Sequence, residues 1–365
     1  MFLFNYSLVI RLLTSTDLDH LGIRAYLYLL NIILLRGEAM RSFSSLFRFS
    51  SPFAAVSTNC EEPIRAEIFG TVRLESHAKS LAIAQTVTKN PHIGGDLLAR
   101  MRQNRLALEK AYHHILEAIQ AKRAITPAAE WLVDNFHIVR AQLKDIHDHL
   151  PPKYYQELPK IANGNLAGYP RVFGIAWAFV AHTDSRFDPE LLKIFISSYQ
   201  KIQPLTIGEL WAIPITLRLV LIENFRRISD HLTNSLSSRQ EADLIADALL
   251  GVGEAASQNI EDVIDQLESQ TVGRSFAVQL LQRLRFQEAR VGSLLQFLDK
   301  KLAQQGQVIE TLVTDEHNIE SMANITARNI VTSARLISAF DWSNFFEDVS
   351  LVDEILRQDV LFASM

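Results

Sequence analysis

Two groups of acidic and histidine side chains have the spacing that chemistry would need. The first is Glu130, Asp134 and His137 in the segment EWLVDNFH, whose intervals of four and three residues place them on one helix face. Two carboxylates and an imidazole on a shared face are a ligand set for a divalent metal. Acids and histidines at this spacing are also common on solvated or inter-helix polar faces, and that is the interpretation we favour.

The second group is His182 and Asp184 in the segment HTDSRFDP. A histidine beside an aspartate can accept and return a proton during catalysis. A turn between two helices explains the same residues, because a histidine at a helix C-terminus is favoured by the helix dipole when protonated. Asp188 and Pro189 then have the types expected of an N-cap and a first helical residue.

The candidate catalytic residues are therefore Glu130, Asp134, His182 and Asp184, and we assign no residue to cofactor or metal binding. No G-x-S-x-G, H-E-x-x-H, Walker or Rossmann motif occurs in its required context. The formal net charge of −5 argues against a general nucleic-acid-binding protein. The single cysteine, Cys60, excludes an intrachain disulfide and a cysteine-based zinc cluster. From the residues alone, a helical scaffold and a self-sufficient all-helical enzyme both remain open.

The elements that must position these residues are helices. Glycine and proline are sparse, at 14 and 11 of 365 residues, and few stretches alternate apolar and polar positions. We predict an all-α fold, either a helical bundle or stacked long helical hairpins. The main helices are predicted near residues 64–86, 95–122, 127–149, 171–181, 206–227, 239–268, 275–304 and 307–338, with a short last helix suggested by Ser350 and Asp353.

Local signals support several of these boundaries. Thr126 with Pro127 is a cap followed by proline at the first helical position. Thr206 and Glu209 form a T-x-x-E capping box, and Ser238 and Glu241 repeat the S-x-x-E pattern. The segment GELWAIPITLRLVLIENFRR, residues 208–227, carries an apolar stripe but too many charges for a bilayer core, so we predict a core helix, kinked at its proline.

Residues 1–60 have a different character from the rest. The apolar run AYLYLLNIILL, residues 25–35, is shorter than the approximately 20 residues that span a bilayer. We predict that residues 1–60 are a poorly ordered or non-native extension, with translation starting at Met1 or Met40. We divide the remainder into a helical module at 61–236 and a second, continuous set of long helices at 237–365.

Several segments resemble one family in their amino-acid sequence and in their order along the chain. They are PIRAEIF, ITPAAEWLVDNFHIV, LPKIANGNLAGYPRVFGIAWAFVAHTDSRFDPELL, QPLTIGELWAIPITLRLVLIENFRR and FDWSNFFEDVSLVDEILRQD. The chain resembles the cyclic β-1,2-glucan synthases of alpha-proteobacteria from about Pro63 to Asp359. Those are large inner-membrane enzymes that make a periplasmic osmoregulatory glucan.

The resemblance implies a place and a set of partners. The matching region of the family is N-terminal and lies on the cytoplasmic face of the inner membrane, before the membrane spans and the glycosyltransferase domain. The family implies UDP-glucose and a divalent metal, but its Q-x-x-R-W signature is absent here and no D-x-D pair occurs in a strand context. We therefore expect a non-catalytic fragment without a transmembrane helix or cofactor, whose partner is the remainder of a synthase. A decayed remnant without activity is the further alternative.

Overall fold

The computed structural model describes residues 61–89, 96–252, 259–285 and 288–352. The predictions for residues 1–60, including Cys60 and Met40, and for Asp353 lie outside these ranges. The helices are α1 Thr71–Ala84, α2 Leu97–Gln120, α3 Pro127–Asp134, α4 Phe136–His149, α5 Pro152–Glu157, α6 Arg171–His182, α7 Pro189–Gln200, α8 Ile207–Leu250, α9 Ile260–Glu268, α10 Arg274–Leu284, α11 Glu288–Gln304, α12 Ile309–Ala339 and α13 Trp342–Val349. The predicted all-α class is confirmed.

Two short strands are the exception in the described part of the chain. Strand β1, Val87–Thr88, pairs antiparallel with strand β2, Lys160–Ile161, and Val87 lies opposite Ile161. Residues 163–168 follow β2 and include glycines with positive φ at Gly164 and Gly168. This small ladder joins the segment after α1 to the segment before α6.

Helix α8 is the central element of the core. It packs against α2, α4, α6, α10 and α12. It begins at the predicted capping box, where the Thr206 hydroxyl accepts from the Glu209 N–H and the Glu209 carboxylate accepts from the Thr206 N–H. It continues through Pro214 for 44 residues and ends at Gly251, whose φ of +67° is the left-handed conformation that favours glycine at a helix end.

Two predicted boundaries in the later part of the chain were wrong. Ser238 and Glu241 do not begin a helix, because Ser238 lies inside α8 and is buried. The apolar stripe of α8 continues across the predicted joint through Ile228, Leu232 and Leu236, so packing keeps the helix intact. The predicted helix at 275–304 is two helices, α10 and α11.

The other two corrections lie near the candidate site residues. The chain from 64 to 70 is not helical, because its backbone pairs with the end of α6: the Phe69 N–H donates to the His182 carbonyl. The predicted helix at 127–149 breaks at Asn135, separating α3 from α4. Asn135 is buried there and its side-chain oxygen accepts from Arg335 at 2.7 Å.

Helix α6 is buried over most of its surface, as its apolar sequence predicts. Val172, Phe173, Ile175, Phe179 and Val180 are each at most 2% exposed. They belong to one hydrophobic cluster that also contains residues of α8 and of α12. The division of the chain at residue 236 stays a prediction.

Candidate functional site

His182 is the last residue of α6 and is fixed by the extended segment that precedes α1. Its Nδ1 donates to the Glu67 carbonyl at 2.7 Å. Its ring stacks on Phe69 with 3.9 Å between ring centroids, and the ring of His77 lies edge-on at 4.4 Å. Burial, with a smaller contribution from His182, lowers the pKa of His77. The imidazole of His182 is therefore packed against aromatic rings and hydrogen-bonded to backbone.

Asp184 lies in the turn after α6, where it and Ser185 have φ of +48° and +63°. Non-glycine residues seldom adopt this left-handed conformation, so surrounding contacts must hold it. One carboxylate oxygen accepts from the Thr326 hydroxyl at 2.6 Å and from Arg65 Nε at 3.2 Å, and the other accepts from Asn329 at 3.2 Å. Asp184 thus ties the 61–70 segment and α12 to the end of α6.

The two members of the predicted His–Asp pair have separate partners. Among the described residues, no hydrogen bond or ion pair joins the His182 ring to the Asp184 carboxylate. His182 bonds the backbone before α1, and Asp184 bonds α12. The sequence placed them two residues apart, but the turn directs them to different neighbours.

Glu130 and Asp134 lie on α3, and both side chains are exposed. Glu130 is in the first turn, where the helix dipole favours a negative charge. His137 follows the break at Asn135 and belongs to α4, so the regular helical spacing that suggested a common face does not extend across the trio. Within the described ranges, no group of three or more His, Cys, Asp or Glu side chains is arranged to hold a metal ion.

The most concentrated charge in the described part of the chain surrounds Glu223, on α8. Arg100 of α2 donates two hydrogen bonds to this carboxylate, of 2.8 and 2.6 Å. Arg226, Arg227 and Asn104 donate to it at 2.7, 2.8 and 2.8 Å. The side chain of Glu223 is almost fully buried, and its pair with Arg227 has the i,i+4 spacing of one helical turn.

This cluster extends to the N-terminal segment. Glu61 accepts from the same three arginines, which places residue 61 against both α2 and α8. Burial alone would raise the pKa of Glu223, but the hydrogen bonds from Arg100 and Arg227 outweigh it and hold that pKa well below its usual range. The hydrogen bond to Glu223 likewise raises the pKa of Arg100. These groups keep their charges near neutral pH, so they suit a structural role better than proton transfer.

A second buried ion pair supports the start of α8. Arg171, the first residue of α6, donates to both oxygens of Glu209 at 2.8 and 2.6 Å. Glu209 is the same residue that completes the capping box, and both side chains are buried. The sequence indicated the box, but it gave no signal for the arginine 38 positions earlier.

Comparison with known proteins identifies a similar protein. No protein-family model matches it. Over 304 residues it is 32% identical to the cyclic beta-(1,2)-glucan synthase NdvB of Rhizobium meliloti (strain 1021). The chain is related to a region of a cyclic glucan synthase.

The synthase-related region covers 83% of this chain but 11% of the length of NdvB. The resemblance seen in the sequence is thereby confirmed for a region of the synthase. Within the described ranges, no helix is both long enough and apolar enough to cross a membrane.

Proposed function

We propose that this chain is the N-terminal, non-catalytic helical region of a cyclic β-1,2-glucan synthase. It acts as a scaffold for the membrane and glycosyltransferase parts, which make periplasmic cyclic glucan from UDP-glucose. The observation that carries the proposal is the 32% identity to NdvB over 304 residues. By this proposal the chain works on the cytoplasmic face of the inner membrane of an alpha-proteobacterium, in a system that serves osmoregulation.

The polar chemistry of the described residues supports a structural role. The carboxylates of Glu209 and Glu223 are saturated by arginines, and Asp184 is held by α12. Transfer from UDP-glucose implies a divalent metal to neutralise the diphosphate. In the described ranges, no group of three or more His, Cys, Asp or Glu side chains is arranged to hold that ion.

Two measurements test the proposal. Purified chain is incubated with labelled UDP-glucose and magnesium or manganese, and we expect no glucan. The chain is then co-expressed with the remaining parts of a synthase, and we expect it to co-purify with them and to be needed for glucan formation. Glucan made by the chain alone, and lost in Glu130→Gln or Asp134→Asn, would establish the self-sufficient enzyme instead. Failure of the chain to associate with the synthase parts would refute the scaffold role.

A further inference from the structure

A long groove runs between α2 and α4 on a face that the polar clusters above do not use. Its volume is about 650 Å³. Its floor is apolar and consists of one row of side chains from each helix: Leu98 and Met101 of α2, and Leu143, Ile146 and Leu150 at and beyond the middle of α4. Each row follows helical spacing, so the floor runs along the helix axes.

The two helices that form the groove are antiparallel. Near one end, the ring of Tyr112 on α2 stacks on that of Phe136 at the start of α4, with 4.2 Å between centroids. Near the other end, Tyr155, which follows α4, is hydrogen-bonded to the backbone of Leu97 at the start of α2. The lining contributed by α4 and its C-cap extends from Arg140 to Leu150, which corresponds to about 15 Å, or roughly three helical turns.

Basic side chains flank the floor on both sides. They are Arg102 and Arg105 on α2, and Arg140, Lys144 and His147 on α4. All five are exposed. In the part of the chain that the structure describes, no ion pair involves the three arginines or Lys144, whereas His147 contacts Asp148. Glu109, at the end nearest Arg140, is the one carboxylate of the lining.

The distribution of these charges decides between kinds of ligand. A phospholipid carries its charge at one end and its apolar chains at the other, so it would need the cations at one end of the groove. Here the cations recur about once per turn along both walls, beside a continuous apolar floor. No phenylalanine, tyrosine or tryptophan ring lines the groove to stack on a nucleotide base. A ligand with one apolar face and negative charge along both flanks matches this pattern.

We propose that this groove is the docking site for an acidic amphipathic helix of a partner protein. The apolar face of the helix, with residues at i, i+3 or i+4 and i+7, would lie on the two rows of the floor. Glutamates or aspartates on its two flanks would pair with the arginines and the lysine of the walls. The assignment rests on the proposed function in one respect, because it names the surface through which the scaffold would hold another part of its assembly.

The test uses a stapled helical peptide of about four turns. One face carries leucine at i, i+4 and i+7, and the flanking positions carry glutamate. Its matched control has glutamine at every flanking position. Binding of each fluorescent peptide to the full chain is measured by anisotropy at low and at physiological salt. We expect the glutamate peptide to bind, the glutamine peptide to bind at least about tenfold more weakly, and added salt to weaken the glutamate peptide.

Charge reversal in the protein locates the site. Arg105→Glu with Lys144→Glu should weaken the glutamate peptide about tenfold or more, because two attractions become repulsions. The matched control, Lys110→Glu with Lys153→Glu, changes two exposed lysines outside the groove by the same total charge and should bind as the unchanged chain does. Circular dichroism melting of both variants checks that these surface changes leave the fold intact.

Three results would overturn the proposal. They are equal affinity of the two double variants for the glutamate peptide, no difference between the two peptides, and absence of glutamate-peptide binding, whether or not phosphatidylglycerol vesicles bind through the groove instead. The scaffold role fails separately. If the chain binds the peptide but does not associate with synthase parts, the docking proposal stands and the proposed function is refuted. If the chain associates with synthase parts but does not bind the peptide, the proposed function stands and the docking proposal is refuted.

Discussion

At the scale of single residues, Glu223 shows how a buried charge is retained. Its carboxylate is buried, yet it is ionised because Arg100, Arg226 and Arg227 surround it. Glu223→Gln should therefore lower the free energy of unfolding by about 3–5 kcal/mol, since it leaves three guanidinium groups without their central partner. Glu61→Gln is the matched control, and it should cost no more than about 1 kcal/mol because the Glu61 side chain is 44% exposed and its ion pairs are partly screened by water. Urea titration of both variants measures the difference.

The same residue predicts a dependence on pH. The pKa of Glu223 is lower in the folded chain than its ordinary value of 4.5. A depressed carboxylate pKa stabilises the fold above the unfolded pKa, and this stabilisation is lost as the pH falls. The difference in the free energy of unfolding between the unchanged chain and Glu223→Gln should have its full size at pH 7 and should decrease below about pH 4.5. A gap that stays constant from pH 7 to pH 3 would contradict the assigned ion pair.

Lys160 shows the opposite case, a buried cation without a carboxylate partner among the residues described. Its ammonium donates to the Tyr155 carbonyl and lies 3.8 Å from the centroid of the Tyr155 ring. Burial lowers the pKa of Lys160 from 10.5 to about 8. Between these values the unfolded chain binds more protons than the folded chain, so stability should rise with pH from about 8 to about 10.5. Below pH 8 both states are protonated and the full cost of burying the charge remains.

Substitution isolates this effect from other groups that titrate in the same range. Lys160→Met should remove the rise, whereas Lys153→Met, at an exposed lysine, should keep it. The measurement is the free energy of unfolding by urea at pH 7.5, 9 and 10.5 for the three chains. Parallel pH profiles for Lys160→Met and the unchanged chain would show that Lys160 is not desolvated.

At the scale of elements, α8 contains two capping-box sequences with different outcomes. Thr206 caps the helix with its hydroxyl, while Ser238 lies within the helix and is buried. Thr206→Ala should cost about 0.5–2 kcal/mol, as the loss of an N-cap does. Ser238→Ala should range from no change to a gain of about 0.5 kcal/mol, because alanine is the better helix former. Thermal melting of the two variants compares them, and equal losses would show that a helix begins at Ser238.

At the scale of the whole molecule, the main hydrophobic cluster of the described chain contains residues from both sides of residue 236. Ala327, Ile330 and Val331 of α12 belong to the same hydrophobic cluster as α6 and the first half of α8. Helix α8 itself continues from residue 207 to residue 250, across the predicted division at 236. A separated first half would expose the surfaces that α12 covers.

A fragment of residues 61–236 is therefore expected to lose cooperative unfolding. The matched control, residues 61–352, should unfold in one transition that far-ultraviolet circular dichroism and tryptophan fluorescence report at the same temperature. The full chain provides the reference for both. Cooperative melting of the 61–236 fragment at the temperature of the control would instead establish it as an independent domain.

The sequence alone determined the features that depend on neighbouring residues. It predicted the all-α class, the buried helix α6, and the caps at Thr126, Asp188 and Thr206. Each of these signals lies within one or two helical turns, where hydrogen-bond geometry and apolar periodicity act directly. The family resemblance came from several sequence segments in their order along the chain, and it was confirmed for a region of the synthase.

Tertiary structure decided everything that depends on partners distant in sequence. The capping-box pattern that starts α8 at Thr206 does not start a helix at Ser238, because α8 remains packed against its neighbours there. His182 and Asp184 are two residues apart, yet one is held by residue 67 and the other by residues of α12 more than 140 positions later. Spacing along a helix determines the direction in which a side chain points. Only tertiary packing determines which groups surround that side chain, and those groups set its charge, its burial and its role.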